Sequence, residues 1–259
     1  MPQVKVFGIP YEGRENFQRG VSLAPSYIRY HLSSLEYYSV IQNKELEPFE
    51  DLSDIYPPWD TKGKDFADFL VKKLVELKIT PLFIALGGDH FITYPIAWYL
   101  KNKLKLNFTV VHFDAHMDRR AVFEREEYNH ATFMYHVEKL MREDHVITVG
   151  VRTKAPCETK KKNIFYAWED YTTVLKDIEG PVYLTFDLDV INPQDFPGVT
   201  NPEPGGKDIF TIINEVLSIK HIIGVDIVEF SPLLDPSTNS ATKAAFVLRE
   251  LLIKLQHGV

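Results

Sequence analysis

Three apolar runs in this chain end the same way, and that recurrence limits the available folds more than any other feature. Residues 82–90 read L-F-I-A-L-G-G-D-H, residues 110–118 read V-V-H-F-D-A-H-M-D, and residues 182–190 read V-Y-L-T-F-D-L-D-V. Each starts as a strand apolar on both faces. Each closes on ligand-type side chains: Asp89 and His90, then Asp114, His116 and Asp118, then Asp187 and Asp189. A strand that is apolar on both faces must be covered on both, as in a parallel sheet between layers of helices. In such sheets ligands bind beyond the carboxyl ends of the strands, where the loops converge. The three endings therefore point to one composite site.

The remaining chain has the alternation such a sheet requires. Residues 4–10 read as a first strand, 25–34 as a helix and 47–55 as a weak strand, separated from the next helix by the turn Y-P-P-W. Residues 64–77 carry Phe66, Phe69, Leu70, Leu74 and Leu77 at the spacing of a helix with one buried face. Strand and helix then alternate: strand 82–86, helix 94–104, strand 108–113, helix 132–142 and strand 146–151. Strands at 164–167, 182–186 and 222–228 follow, with helices near Thr172, Phe210 and Ala241. No internal repeat or linker interrupts the pattern.

Asp114, His116 and Asp118 stand two residues apart, so the pleat of a strand would turn all three to one side. Two carboxylates and an imidazole in a buried strand end repel and desolvate one another unless a positive charge sits between them. A divalent metal supplies it. A strand end that merely happens to be polar would explain one such motif, but it does not explain three.

Read in order, G-G-D-H, H-F-D-A-H-M-D, T-F-D-L-D-V-I-N-P and G-V-D-I-V-E-F-S-P resemble the four signatures of the ureohydrolase family, the arginases and agmatinases. The amino-terminal G-I-P-Y-E-G, R-G-V-S-L-A-P-S-Y-I-R and S-L-E-Y-Y-S resemble agmatinases in particular. The similarity runs from about Val4 to the end, which leaves 1–259 as one ureohydrolase domain. The resemblance implies an α/β fold of three layers, α/β/α, around a mostly parallel sheet of about eight strands. His90, Asp114, His116, Asp118, Asp187 and Asp189 become the ligand set, four carboxylates and two imidazoles, more charge than one divalent ion neutralises. Two Mn2+ ions are implied, since oxygen-rich ligation favours manganese over zinc. By the same resemblance His90, Asp114, Asp118 and Asp187 hold one ion, while Asp114, His116, Asp187 and Asp189 hold the other.

The implied reaction is hydrolysis of agmatine to putrescine and urea. A metal-bound hydroxide, held by Asp118, attacks the guanidino carbon; Glu229 receives the guanidinium and His130 gives the leaving amine its proton. Arginase, guanidino-acid hydrolase and formiminoglutamase activities are the alternatives within the family. A single-zinc deacetylase would not need both His90 and the second half of D-A-H-M-D, and a non-catalytic metal-binding protein would be expected to have lost ligands or the proton donor, of which none is missing. Asp89 reads as support for its loop, His112 as a core histidine or a donor behind the ligands, and Asp226 as a buried orienting group.

Some residues depart from the family pattern. Ala131 replaces a glycine after the proton-shuttle histidine, Asn201 a site-facing threonine, and Phe91 a small serine. Arg119 and Arg120 follow Asp118 directly, at what reads as the rim of the site; an arginine fork there suits a substrate carboxylate, and the alternative is that both face solvent. The polar loop of residues 11–20 is a second candidate for the rim.

Composition adds bounds. The 259 residues suffice for one large α/β domain, and 45% hydrophobic with 25% charged residues are ordinary globular values. A net charge of -7 disfavours a nucleic-acid surface and suits a small cationic guanidino substrate. The single cysteine, Cys157, excludes an intrachain disulfide and reads as a structural thiol. No apolar run approaches the roughly 20 residues of a membrane span. A cytoplasmic protein is expected, assembled as a trimer or hexamer if it follows the family.

Overall fold

The computed structural model describes residues 3–13 and 18–258. Eight strands form its main sheet: β1 Lys5–Ile9, β2 Glu50–Asp54, β3 Phe83–Gly87, β4 Thr109–Phe113, β5 Val146–Val151, β6 Ile164–Tyr166, β7 Val182–Asp187 and β8 Ile222–Val228. Their order across the sheet is β2-β1-β3-β8-β7-β4-β5-β6. Every pairing is parallel. Among the described residues seven α-helices connect and cover them: α1 Ala24–Leu32, α2 Gly63–Glu76, α3 Thr93–Asn102, α4 Phe133–Met141, α5 Thr172–Lys176, α6 Ile209–Leu217 and α7 Asn239–His257.

The pleat explains the layers. Phe83 and Ala85 point to a core under α2, α3 and α4, built with Phe66, Leu70, Ile96, Phe133 and Val137. Ile84 and Leu86, one residue out of phase, point to the opposite core under α1, α6 and α7, with Ile28, Ile212, Leu248 and Leu252. Each strand thus needs apolar residues at successive positions, which is why these runs lack the alternation of a half-exposed sheet. Burying both faces is the main driving force of the fold, at about 25 cal/mol per Å² of apolar surface.

The expected elements all appear, with ends moved by a few residues. A short ribbon was not expected: Tyr38–Ser39 pairs antiparallel with Lys44–Glu45. Two-residue strands are too short to carry a hydrophobic period. Cys157 is exposed, so its thiol is no part of a core. No helix among the described residues is long and apolar enough to cross a membrane. The strands β3, β8, β7 and β4 are consecutive neighbours at the sheet centre, and the acidic motifs follow their carboxyl ends.

Candidate active site

Each of the three apolar runs turns at its end by the same device. Asp89 accepts a hydrogen bond from the backbone N–H of Phe91 at 2.8 Å, Asp187 from that of Asp189 at 2.7 Å, and Asp114 from that of His116. An aspartate bonded to the N–H two residues on replaces a backbone turn, and it ends the strand. Asp89 also takes the Gly13 N–H at 3.2 Å. It braces a loop joint.

This geometry corrects the reading of residues 114–118 as a pleated strand. β4 stops at Phe113, and Asp118 lies at φ 52°, in the left-handed region. A turn gathers Asp114, His116 and Asp118, where a pleat would have spread them over about 13 Å at roughly 3.3 Å per residue.

The gathered side chains share one carboxylate. Asp114 Oδ2 lies 3.3 Å from His90 Nδ1, and Asp114 Oδ1 lies 3.3 Å from His116 Nδ1. On the first side, His90 Nδ1 is also 2.9 Å from Asp187 Oδ2 and 3.9 Å from Asp118 Oδ2. On the second, His116 Nδ1 is 2.7 Å from Asp189 Oδ2. Donor atoms of His90, His112, Asp114 and Asp118 lie within 4.8 Å of one another, as do those of Asp114, His116 and Asp189. Either group can hold a metal ion, and Asp114 belongs to both. Asp187 falls in neither by distance, although its Oδ2 faces His90.

Buried hydrogen bonds hold these groups from behind. His90 Nε2 lies 2.9 Å from Thr185 Oγ1, whose hydroxyl donates to Asp226 at 2.7 Å. Asp226 also accepts from Thr93 and Tyr183. That carboxylate, the orienting group expected at residue 226, thus acts on His90 through a threonine. His112 reaches Asp114 Oδ2 with Nε2 at 2.6 Å. Its burial holds its pKa down at about 4, so it is neutral.

Electrostatics then shows what the cluster lacks. Burial, then the charge of neighbouring aspartates, pushes the Asp118 and Asp187 carboxyls well above the usual range. Burial opposes ionisation of Asp114 as well, but His112, His116 and His90 around it hold it well below that range. Burial would also lower His90 and His116, yet their carboxylate partners raise both well above an ordinary imidazole. The cluster by itself would take up protons. Divalent cations would replace those protons, and the carboxylate and imidazole donor set fits them.

The cluster floors a cavity of about 470 Å³ that opens past Arg120, Phe123, Glu124, His130, Ala131, Thr200 and Asn201. Glu229 projects into the same cavity. It follows β8 at φ 63°, accepts the His90 N–H at 2.7 Å and faces the Thr200 hydroxyl at 3.2 Å. Burial, with the charges of Asp89 and Asp187, pushes its carboxyl well above the usual range. A cation entering here would relieve it. His130 lines the same cavity, with Phe123 edge-on at 5.6 Å and its Nδ1 3.9 Å from Asp89.

The two arginines part company. Arg120 lines the cavity, its guanidinium 4.7 Å above the Phe123 ring, with no carboxylate partner among the described residues. Arg119 faces neither substrate nor solvent; it is 9% exposed and bonded to Glu138, Met117 and Thr148. Asn201 does face the site, with Nδ2 3.0 Å from His116 Nε2, and Phe91 packs in the core among Tyr11, Phe66 and Tyr128. Residues 14–17 of the expected rim loop lie outside the described residues, and none of its described residues lines the cavity. Sequence reasoning passed over Phe123, Glu124 and Thr200. The first two sit in a polar stretch between Arg120 and His130, and only their place between two motifs hinted at a shared wall.

A parallel sheet with carboxylates and imidazoles clustered at the ends of its central strands, beside a carboxylate suited to a planar cation, fits a metal-dependent hydrolase of guanidino compounds. The chain belongs to the arginase family, whose model matches residues 2–254. An agmatinase of Bacillus anthracis is 30% identical over 97% of this chain and 91% of its own length. The agmatine ureohydrolase of Thermoplasma volcanium superposes with a TM-score of 0.85 at 25% identity, covering 98% of this chain and 90% of that one. The formimidoylglutamase of Bacillus subtilis reaches a TM-score of 0.85 over 99% of this chain and 88% of its own, a likeness of fold at 22% identity.

Proposed function

We propose that this ureohydrolase uses two divalent cations, manganese foremost, to hydrolyse agmatine to putrescine and urea. The observation that carries guanidino hydrolysis is the buried Glu229 carboxylate in the same cavity as the aspartate and histidine cluster. His90, Asp114, Asp118 and Asp187 would hold one cation, and Asp114, His116, Asp187 and Asp189 the other. When bound, the cations offset the carboxylate charge and acidify water enough to attack a guanidino carbon at neutral pH.

The remaining work falls to the chain. Glu229 accepts guanidinium N–H groups and fixes the carbon above the cluster; its carboxylate is already oriented by the His90 N–H. Asp118, in its left-handed turn, takes a hydrogen bond from the attacking water and holds it below that carbon. His130, which lines the same cavity, passes a proton from its ring nitrogen to the departing amine. Water and guanidinium become urea and an ammonium. We further propose assembly as a trimer or hexamer, by family resemblance, which light scattering checks.

Agmatine is favoured by the named relatives and by Glu124, an exposed acid at the cavity wall that suits an ammonium tail. A second reading rests on Arg120, whose guanidinium on the same wall has no carboxylate partner among the described residues and suits a carboxylate tail. Purified protein loaded with Mn2+ should be assayed for urea from agmatine, arginine and 4-guanidinobutyrate, and for formamide from formiminoglutamate. Highest kcat/KM on agmatine supports the first reading. Preference for a carboxylate substrate replaces it with the second, and no turnover of any guanidino or formimino compound overturns both.

A further inference from the structure

Behind the shared carboxylate runs a chain of four fully or nearly buried side chains. Arg119, Thr148, His112 and Asp114 are 9%, 0%, 0% and 0% exposed. Arg119 Nη2 donates to Thr148 Oγ1 at 2.7 Å, Thr148 Oγ1 lies 3.2 Å from His112 Nδ1, and His112 Nε2 lies 2.6 Å from Asp114 Oδ2. A guanidinium has no acceptor, so the direction of the first bond is fixed. The threonine hydroxyl turns one of its two lone pairs to Arg119, which directs its single hydrogen away from the guanidinium, and His112 Nδ1 is the acceptor in reach. An imidazole that accepts at Nδ1 carries its proton on Nε2 when neutral. That proton is the one aimed at Asp114.

We propose that Arg119 is a positioning residue for Asp114, setting the tautomer of His112 through Thr148 so that one oxygen of the shared ligand is held by a donor. This rests on the reading of Asp114 as a ligand common to two cations. Three observations carry it beyond a structural ion pair. Arg119 is anchored independently of the chain, with Nε on Glu138 at 2.7 Å and Nη1 on the Met117 carbonyl at 2.9 Å, so its third donor is presented to Thr148 in one place. Its charge is partnered by Glu138, which Lys161 also bonds at 2.9 Å, and it meets the His112 chain through the hydrogen bond to Thr148. Asp114 Oδ1 accepts the His116 N–H, so both oxygens of the shared carboxylate have a protein donor. Without Arg119 nothing directs that hydrogen toward Nδ1, and the hydroxyl is free to turn and accept from Nδ1–H. His112 would then turn a lone pair toward a carboxylate oxygen, and Asp114 would swing.

The consequence for His112 is specific. By distance it belongs to the first donor group. With its Nε2 proton committed to Asp114 it is a support for the ligand and not a ligand itself.

The test uses full-length protein labelled with 15N-histidine, with Thr148→Val, Thr148→Ser and Arg119→Met. Ring nitrogen spectra of the metal-free protein should show His112 as the Nε2–H tautomer alone in the parent and in Thr148→Ser. Thr148→Val and Arg119→Met should show both tautomers. Calorimetric titration with Mn2+ should give affinity lowered by about 10–100-fold in those two variants and retained in Thr148→Ser, the usual scale for a group that orients a ligand. A single Nε2–H tautomer and parental Mn2+ affinity in folded Thr148→Val would overturn the proposal. So would an Arg119→Met protein that loses stability while its folded fraction keeps the parental spectrum. Failure of the parent itself to bind Mn2+ would instead remove the metal reading on which the proposal stands.

Discussion

Asp118 and Glu229 hold left-handed backbone, at φ 52° and 63°, although neither is glycine. Such conformations cost about 1–3 kcal/mol each and persist where the surroundings over-determine them. At Glu229 the cost is joined by burial of a carboxylate, and both are tolerated because the side chain reaches the cavity. Glu229→Gln keeps the shape and removes the charge, so KM for a guanidino substrate should rise roughly 10–100-fold, the worth of a lost charged hydrogen bond. Unchanged steady-state kinetics would take Glu229 out of substrate binding. His130→Asn should leave Mn2+ binding intact and lower kcat by about a hundredfold or more, which titration and turnover on the same sample would separate. The wall residues discriminate tails by charge. Arg120→Ala should lower kcat/KM on 4-guanidinobutyrate selectively if a carboxylate docks there, whereas Glu124→Gln should lower it selectively on agmatine. Substrate profiles that move in parallel would show that neither residue contacts the tail.

At the scale of elements, the site is made by strand endings. The two glycines at the end of β3, Gly87 within it and Gly88 just after it, were visible in the sequence, and the cause of the second lies in a neighbouring segment. A Cβ on Gly88 would sit 2.1 Å from the Tyr11 carbonyl oxygen, because the segment after β1 crosses there and takes the Asp89 N–H at 3.0 Å. Gly88→Ala must push that backbone away, with His90 and the N–H it gives Glu229 moving too. It should lower stability by about 1–3 kcal/mol and weaken Mn2+ binding together, read by denaturant unfolding and calorimetry. Parental values for both would mean that the crossing is loose. The strands themselves were legible because double burial demands continuous apolar runs. The turn at residues 114–118 was not, because alternate spacing is compatible with a pleat and with an aspartate turn alike, and the choice depends on the His116 N–H finding Asp114.

For the whole molecule, the buried cluster links stability to metal and pH. Asp118, Asp187 and Glu229 have folded pKa values above their unfolded ones, so the metal-free folded protein keeps protons that the unfolded chain has released. By linkage its stability falls as pH rises through those folded values. His90 and His116, raised above 6.5, have the same sign and begin to contribute there. Asp114, held low, and His112, at about 4 against 6.5, work in the opposite sense, but both contributions are complete above pH 6.5. Chelated protein should therefore lose Tm as pH rises above that value, and saturating Mn2+ should raise Tm and reverse the slope, since cation binding requires deprotonated ligands. A flat profile in chelator would contradict the burial of these charges. The sequence alone determined the layers, the strand set and the types of side chain gathered at the strand ends, because burial periodicity and charge are local properties that every residue carries with it. Only the tertiary structure decided that Arg119 turns inward to Thr148 while its neighbour Arg120 lines the cavity, and that Asp114 stands between two groups of donors. Adjacent residues of one type are alike in sequence, and only the partners that packing brings from Glu138, Thr148 and Phe123 tell them apart.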